Sequence, residues 1–175
     1  MDGTTGMSKP NITVRPMRIE DLDQVLEVER ASFPTPWTKE AFYRELTQNR
    51  LACYLVALAD GRVIAYAGAW LILDEAHVTN IAVHPSFRGR KVGELLMRSL
   101  MLLARSKGAR QMTLEVRASN LVAQNLYRKL GFSTQGRRPK YYTDNQEDAL
   151  IMWADLNICL QDGWMDPFEQ GDGDV

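Results

Sequence analysis

One short run of cations and glycines offers the most distinctive chemistry in the sequence. It comprises Arg88, Gly89, Arg90, Lys91, Val92 and Gly93, directly ahead of a leucine-rich segment. The N-terminus of a helix exposes unpaired N–H groups and a partial positive charge, so a basic turn that enters a helix can hold phosphate groups. The run therefore favours a pyrophosphate cradle, although a solvated basic loop has the same composition. Its spacing matches neither the Walker loop nor the dinucleotide fingerprint, which argues against ATP and NAD.

Glu115 and Tyr127 are side chains that could move protons. Glu115 lies on the polar side of the alternating segment Met112 to Arg117, and Tyr127 lies in the predicted helix that follows. A carboxylate can accept a proton from a nucleophile, and a phenol with a pKa near ~10 can donate one to a leaving group. Taken alone, such residues are more often a solvated charge and half-buried packing. Their chemistry therefore depends on their surroundings.

Other kinds of catalytic chemistry find little support. No cluster of His, Cys, Asp and Glu has metal-ligand spacing, and His77 and His84 flank one predicted strand as structural or surface residues. There is no Ser–His–Asp or Cys–His signature, so a covalent intermediate on the enzyme is not expected. Cys53 and Cys159 are predicted to be free thiols.

Composition predicts one ordinary globular domain. The chain has 175 residues, 45% hydrophobic and 25% charged, with a net charge of −1. This charge provides no global attraction to nucleic acid or anionic membranes. Met1 to Pro10 has no apolar core, so we expect no signal peptide, and no run of the sequence approaches ~20 apolar residues. We expect a cytoplasmic protein without nucleic-acid or membrane partners, and we favour a monomer while leaving the oligomeric state open.

Periodicity predicts an α/β fold in the order strand, two helices, hairpin, strand, helix, strand, helix, strand, with a strand–helix–strand unit at the centre. Thr38 and Asn120 are predicted helix N-caps. The predicted organisation is a flexible arm at 1–10, a folded domain at 11–158 and an acidic tail at 159–175.

Several segments together resemble one enzyme superfamily. The run from Arg88 to Gly93 resembles the coenzyme-A loop of the GNAT N-acetyltransferases, and three later segments resemble its ribosomal-protein-alanine N-acetyltransferase branch (RimI-like enzymes). Those segments are Leu114 to Asn120, Leu126-Tyr127 and Leu130-Gly131-Phe132. The resemblance implies the GNAT fold, a mixed central sheet flanked by helices, with acetyl-CoA as co-substrate and no metal.

The implied reaction is direct attack of an amine on the thioester. The resemblance implies acetylation of a protein N-terminus, in particular the N-terminal alanine of a small-subunit ribosomal protein. Other protein N-termini, lysine side chains and small amines are alternative acceptors. A non-catalytic module that binds coenzyme A or a partner protein is a third hypothesis.

The resemblance also implies roles for individual residues. Glu115 takes the general-base role and Tyr127 the general-acid role, while Asn120 contacts the coenzyme. The backbone of Ile81, Ala82 and Val83 would bind the pantetheine arm if their strand splays from the next one. Lys91 replaces a glycine of the loop pattern; we expect a right-handed lysine in the first helical turn, since a positive φ would distort the loop.

Two stretches are expected to frame the acceptor amine. Phe33 and Trp37 belong to an aromatic, proline-stiffened segment between two helices, and Arg138 and Tyr142 to a basic, aromatic segment before the last strand. A peptide could thread between them. The alternative is that Phe33 and Trp37 fill the core and the basic run is solvated.

Overall fold

The computed structural model describes residues 8–160, which form a seven-stranded mixed sheet flanked by helices. The strand order is β1-β2-β3-β4-β5-β7-β6. Within the described residues β4 and β5 are parallel, and every other neighbouring pair is antiparallel. The strands are β1 (Ile12–Pro16), β2 (Ala52–Ala59), β3 (Arg62–Ile72), β4 (Glu75–Val83), β5 (Gln111–Arg117), β6 (Ser133–Tyr142) and β7 (Glu147–Asp155).

Residues 8–160 contain five α-helices; four of them begin and end near the predicted signals, and the short α5 was not predicted. Thr38 Oγ1 accepts from the Ala41 N–H (3.2 Å) and Asn120 Oδ1 accepts from the Ala123 N–H (3.1 Å), so both predicted N-caps are confirmed. The helix between β4 and β5 completes the predicted strand–helix–strand unit. The helices are α1 (Leu22–Ser32), α2 (Lys39–Thr47), α3 (Val92–Ser106), α4 (Leu121–Lys129) and α5 (Leu156–Cys159).

The sheet buries both faces of its central strands. On one face α3 packs its fully buried Leu96 and Leu100 against β2, β3 and β4. On the other face α1 and α2 enclose Phe42 and Tyr66, whose rings meet edge to face with centroids 5.3 Å apart. Since β2 and β3 have apolar neighbours above and below, they form a rigid platform next to β4.

The predicted element order lacks one strand. β6 occupies Ser133–Tyr142 at the edge of the sheet, and its residues are exposed or half-buried throughout. An edge strand with no buried face has no alternation of apolar and polar residues, so periodicity could not reveal it.

The domain bounds 11–158 stay a prediction. At their C-terminal side, Cys159 ends α5 and Leu160 is buried. Most of the predicted arm (1–7) and tail (161–175) lies outside the described residues. Cys53 and Cys159 are free thiols, as predicted. Within residues 8–160, no helix is both long and apolar enough to cross a membrane.

Candidate active site

β4 and β5 pair only at their beginnings and then separate. Their ladder joins Glu75–His77 to Gln111–Thr113 and stops, although β4 continues to Val83 and β5 to Arg117. β4 stays paired with β3, and Thr79 forms a bulge there, because Gly68 and Ala69 pair with Asn80 and Val78. The bulge bends β4 away from its parallel neighbour. The result is an opening in the middle of the sheet.

The first cleft of this opening lies between β4 and the starts of α3 and α4. It has a volume of about 470 Å³. 

The predicted residues that line the first cleft are Ile81, Ala82, Val83, Arg88, Gly93 and Asn120.

The backbone of the basic loop before α3 differs from the predicted one. Lys91 has φ 61° and ψ 21°, a left-handed backbone, and it precedes α3 as its N-cap residue. The expectation of a right-handed lysine inside the first helical turn is therefore wrong. Gly89 also has a positive φ (76°), so two residues of the loop have left-handed backbone between the turn at Pro85–Phe87 and the helix. A left-handed lysine costs roughly 1–2 kcal/mol.

The three cations of the loop have different environments. Arg88 Nε donates to the Val83 carbonyl (3.0 Å), so its guanidinium braces the end of β4. The Arg90 guanidinium lies over the Phe87 ring, 5.2 Å from its centroid. Lys91 is exposed. Arg90 and Lys91 are thus placed beside the start of α3, where the first N–H groups lack intrahelical acceptors.

A second cleft, of about 270 Å³, brings the predicted proton-handling pair together. Glu115 and Tyr127 both line it, together with Asn120, Ile81 and Tyr142. These residues come from β5, α4, β4 and β6, so the separation of β4 from β5 is what creates their common space.

The Tyr127 hydroxyl is available to a ligand. The residue is only 7% exposed, yet the hydroxyl makes no hydrogen bond with any residue in the described part of the chain and is not sealed from the cleft. Burial, with Tyr142 nearby, raises the pKa of Tyr127 to about 12. The phenol is therefore neutral at physiological pH and can donate a hydrogen bond.

Glu115 is more accessible than Tyr127. Its side chain is 31% exposed, and Arg138 Nε lies 3.8 Å from Oε1. Arg138 therefore reaches the second cleft through Glu115 and does not line the acceptor cleft, although sequence reasoning placed it among the acceptor residues.

The acceptor cleft, of about 530 Å³, contains the predicted aromatic residues Phe33, Trp37 and Tyr142. Phe33 is 37% exposed, so it does not fill the core. Trp37 combines the two predicted alternatives: it lines the cleft, and it also packs on the buried Phe42 with ring centroids 5.4 Å apart. Tyr141, the neighbour of Tyr142 in the predicted segment, lines the same cleft, as do four residues that sequence reasoning missed: Glu29, Asn80, Arg117 and Asp144.

Glu29 belongs to a buried polar network at the base of this cleft. It is 2% exposed, and its carboxylate accepts from the Trp37 N–H (3.1 Å) and from the Tyr66 hydroxyl. Asn80 Nδ2 donates to the same hydroxyl (2.8 Å), which connects the acceptor segment to the bulged part of β4. The signal in the sequence is that Glu29 follows Val25 and Leu26 at helical spacing, on the buried face of α1.

Arg117 supports Tyr142 from β5. Its guanidinium lies 4.0 Å from the Tyr142 ring centroid and donates to Asp144 (2.9 Å) and Glu147 (3.4 Å). The hydrogen bond from Arg117 lowers the pKa of Asp144. This network fixes the tip of the β6–β7 hairpin over the end of β5.

The three clefts are continuous. The first and second share Ile81, Asn120 and Tyr127, and the second and the acceptor cleft share Asn80 and Tyr142. Phe33 lines all three. A channel therefore runs from the start of α3, past Glu115 and Tyr127, to the β6–β7 hairpin. Among residues 8–160, no group of three or more His, Cys, Asp or Glu side chains could hold a metal ion.

Comparisons with known proteins agree with this geometry. Residues 22–132 match the family model of the acetyltransferase (GNAT) family. A Bacillus subtilis protein, provisionally named a ribosomal protein bS18-alanine N-acetyltransferase, is 51% identical over 149 residues, covering 85% of this chain and 99% of that protein.

Solved structures share the fold. The Escherichia coli ribosomal-protein-S18-alanine N-acetyltransferase has a TM-score of 0.77 and 30% identity, covering 89% of this chain and 100% of that one. The PaiA N-acetyltransferase of Thermoplasma acidophilum, solved with coenzyme A, has a TM-score of 0.71 at 24% identity, covering 83% and 99%. The chain therefore belongs to the GNAT family and is an acetyl-CoA-dependent N-acetyltransferase.

Proposed function

We propose that this enzyme acetylates the α-amine of a protein N-terminus, and that its acceptor is the N-terminal alanine of a small-subunit ribosomal protein. The observation that carries the proposal is the continuous channel, in which the first cleft and the aromatic acceptor cleft are joined by the second cleft, which Glu115 and Tyr127 line. The Bacillus subtilis and Escherichia coli relatives, whose names specify this acceptor, support the choice.

The first cleft suits the pantetheine arm and pyrophosphate of acetyl-CoA. Beyond His77, the edge of β4 that faces β5 has no strand partner, so the backbone at Ile81 and Val83 can pair with the amides of the arm. A Cβ at Gly93 would lie 3.6 Å from Leu126, an ordinary contact, so packing within the protein does not require glycine there. The space beside Gly93 instead suits a phosphate at the start of α3.

Glu115 would receive the proton that the ammonium group must lose before its nitrogen attacks. The carboxylate faces the second cleft and is accessible, so it can act directly or through a water molecule. An unpaired backbone N–H of β4 would hold the carbonyl oxygen as negative charge develops on it. The amine then displaces the thiolate without a covalent enzyme intermediate.

Tyr127 would stabilise the departing thiolate. Burial raises the pKa of Tyr127 to about 12, so the phenol is a weaker acid than a thiol and complete proton transfer from it is unfavourable. The hydroxyl therefore acts chiefly as a hydrogen-bond donor to the sulfur. Burial strengthens such a bond, because the surroundings are less polar than water.

Thiol release from acetyl-CoA, measured with short peptides, tests the proposal. We expect release with an alanine-starting peptide and a mass increase on its α-amine. The matched control is the same peptide with a blocked N-terminus and a free lysine, which should release no thiol. Acetylation of the lysine, or of spermidine alone, would reject the proposed acceptor. Coenzyme binding without turnover of any amine would favour the non-catalytic module.

A further inference from the structure

An irregularity in the β6–β7 hairpin shapes the acceptor cleft. Arg138 pairs with Ala149, and Tyr142 pairs with Glu147. Residues 139–141 of β6 therefore face the single residue Asp148 of β7, which makes a bulge. Bulges interrupt the ladder and re-aim side chains, often beside active sites.

The bulge brings two consecutive tyrosines to one place. In a regular strand Tyr141 and Tyr142 would point to opposite faces of the sheet. Here both line the acceptor cleft, and their rings meet edge to face with centroids 5.2 Å apart. The cleft thus gains a second aromatic wall that a regular β6 could not supply.

Asp148 holds the bulge through both carboxylate oxygens. Oδ1 accepts from the Lys140 N–H (2.9 Å), and Oδ2 accepts from Arg137 Nε (2.6 Å). Lys140 has φ 51°, a left-handed backbone conformation that is unfavourable for residues other than glycine. The hydrogen bond that the Lys140 N–H donates to Asp148 offsets that cost.

We propose that Asp148 is a positioning residue for the acceptor, because it holds the bulge that directs Tyr141 and Tyr142 into the same cleft. The inference rests on the proposed function, since it assumes that a peptide occupies this cleft. Tyr142 has a second support in Arg117, whose guanidinium lies against its ring. Tyr141 therefore depends most on Asp148.

Steady-state kinetics of Asp148→Ala with the alanine-starting peptide test the assignment. We expect the peptide KM to rise about tenfold, while kcat and the KM for acetyl-CoA change less than about twofold. Asp155→Ala is the matched control, because Asp155 accepts from the N–H groups of Asn157 (2.9 Å) and Ile158 (3.2 Å) at the other end of β7. It should leave the peptide KM unchanged.

A double-mutant cycle separates positioning from general destabilisation. If Asp148 acts through Tyr141, adding Asp148→Ala to Tyr141→Ala should raise the peptide KM little further. Fully additive effects, or an unchanged peptide KM in folded Asp148→Ala, would overturn the inference. If Asp148→Ala does not fold, Asp148→Asn serves instead, with a rise of about threefold expected from loss of the charge. Failure of the unmodified enzyme with every peptide would instead reject the proposed function.

Discussion

Replacement of Tyr127 by phenylalanine gives the sharpest test of the mechanism. The change removes one hydroxyl that makes no hydrogen bond within the described part of the chain, so it leaves no orphaned partner in the protein. The ring still packs against Phe132, with centroids 5.9 Å apart. We therefore expect the fold and the thermal midpoint to be preserved.

Turnover should fall because the sulfur loses its hydrogen-bond donor. Removing one preorganised donor from a developing negative charge costs about 10²- to 10³-fold in kcat, or ~2.7–4 kcal/mol. The assay is thiol release at saturating acetyl-CoA and peptide, with the KM for each substrate measured separately. A kcat within twofold of the unmodified enzyme would remove Tyr127 from the mechanism.

The pH dependence supplies an independent check on the same residue. Burial raises the pKa of Tyr127 to about 12, so the phenol stays protonated throughout the neutral and mildly alkaline range. Its ionisation should therefore cause no fall in kcat below about pH 10. A decline in kcat between pH 8 and 9 that disappears in Tyr127→Phe would contradict the raised pKa.

Three further outcomes follow from the structure. Glu115→Gln should lower kcat by about 10²- to 10⁴-fold in the thiol-release assay while circular dichroism stays unchanged, and near-normal turnover would exclude Glu115 as the base. Lys91→Gly should raise the free energy of unfolding by up to ~1 kcal/mol in urea titrations, because glycine adopts a positive φ without steric cost. A lower free energy of unfolding would contradict the idea that the Lys91 backbone is strained. The hydrogen bonds from Ser119 lower the pKa of Glu147 to about 2, so its stabilising contribution is present above the unfolded pKa of ~4.3 and is lost as pH falls toward 2. In Glu147→Gln the thermal midpoint should change less with pH over that interval. An unchanged slope of the midpoint against pH would contradict this coupling.

Local signals in the sequence determined the fold class and much of the candidate site. Thr38 and Asn120 are N-caps because their side chains satisfy N–H groups three residues away, a relation that needs no distant contact. The alternation in β5 placed Glu115 on the face away from the α3 core, and the loop before α3 matched the coenzyme pattern. The roles of these residues in binding and catalysis stay predictions.

Tertiary structure decided the features that depend on distant parts of the chain. β6 was missed because an exposed edge strand has no periodic pattern, and the left-handed backbone of Lys91 follows from how the loop enters α3. The separation of β4 from β5 and the bulge opposite Asp148 are properties of strand pairing. Pairing depends on which strands the whole sheet brings together, so residue types in one segment determine what can be recognised there, while the fold determines which groups share a cleft.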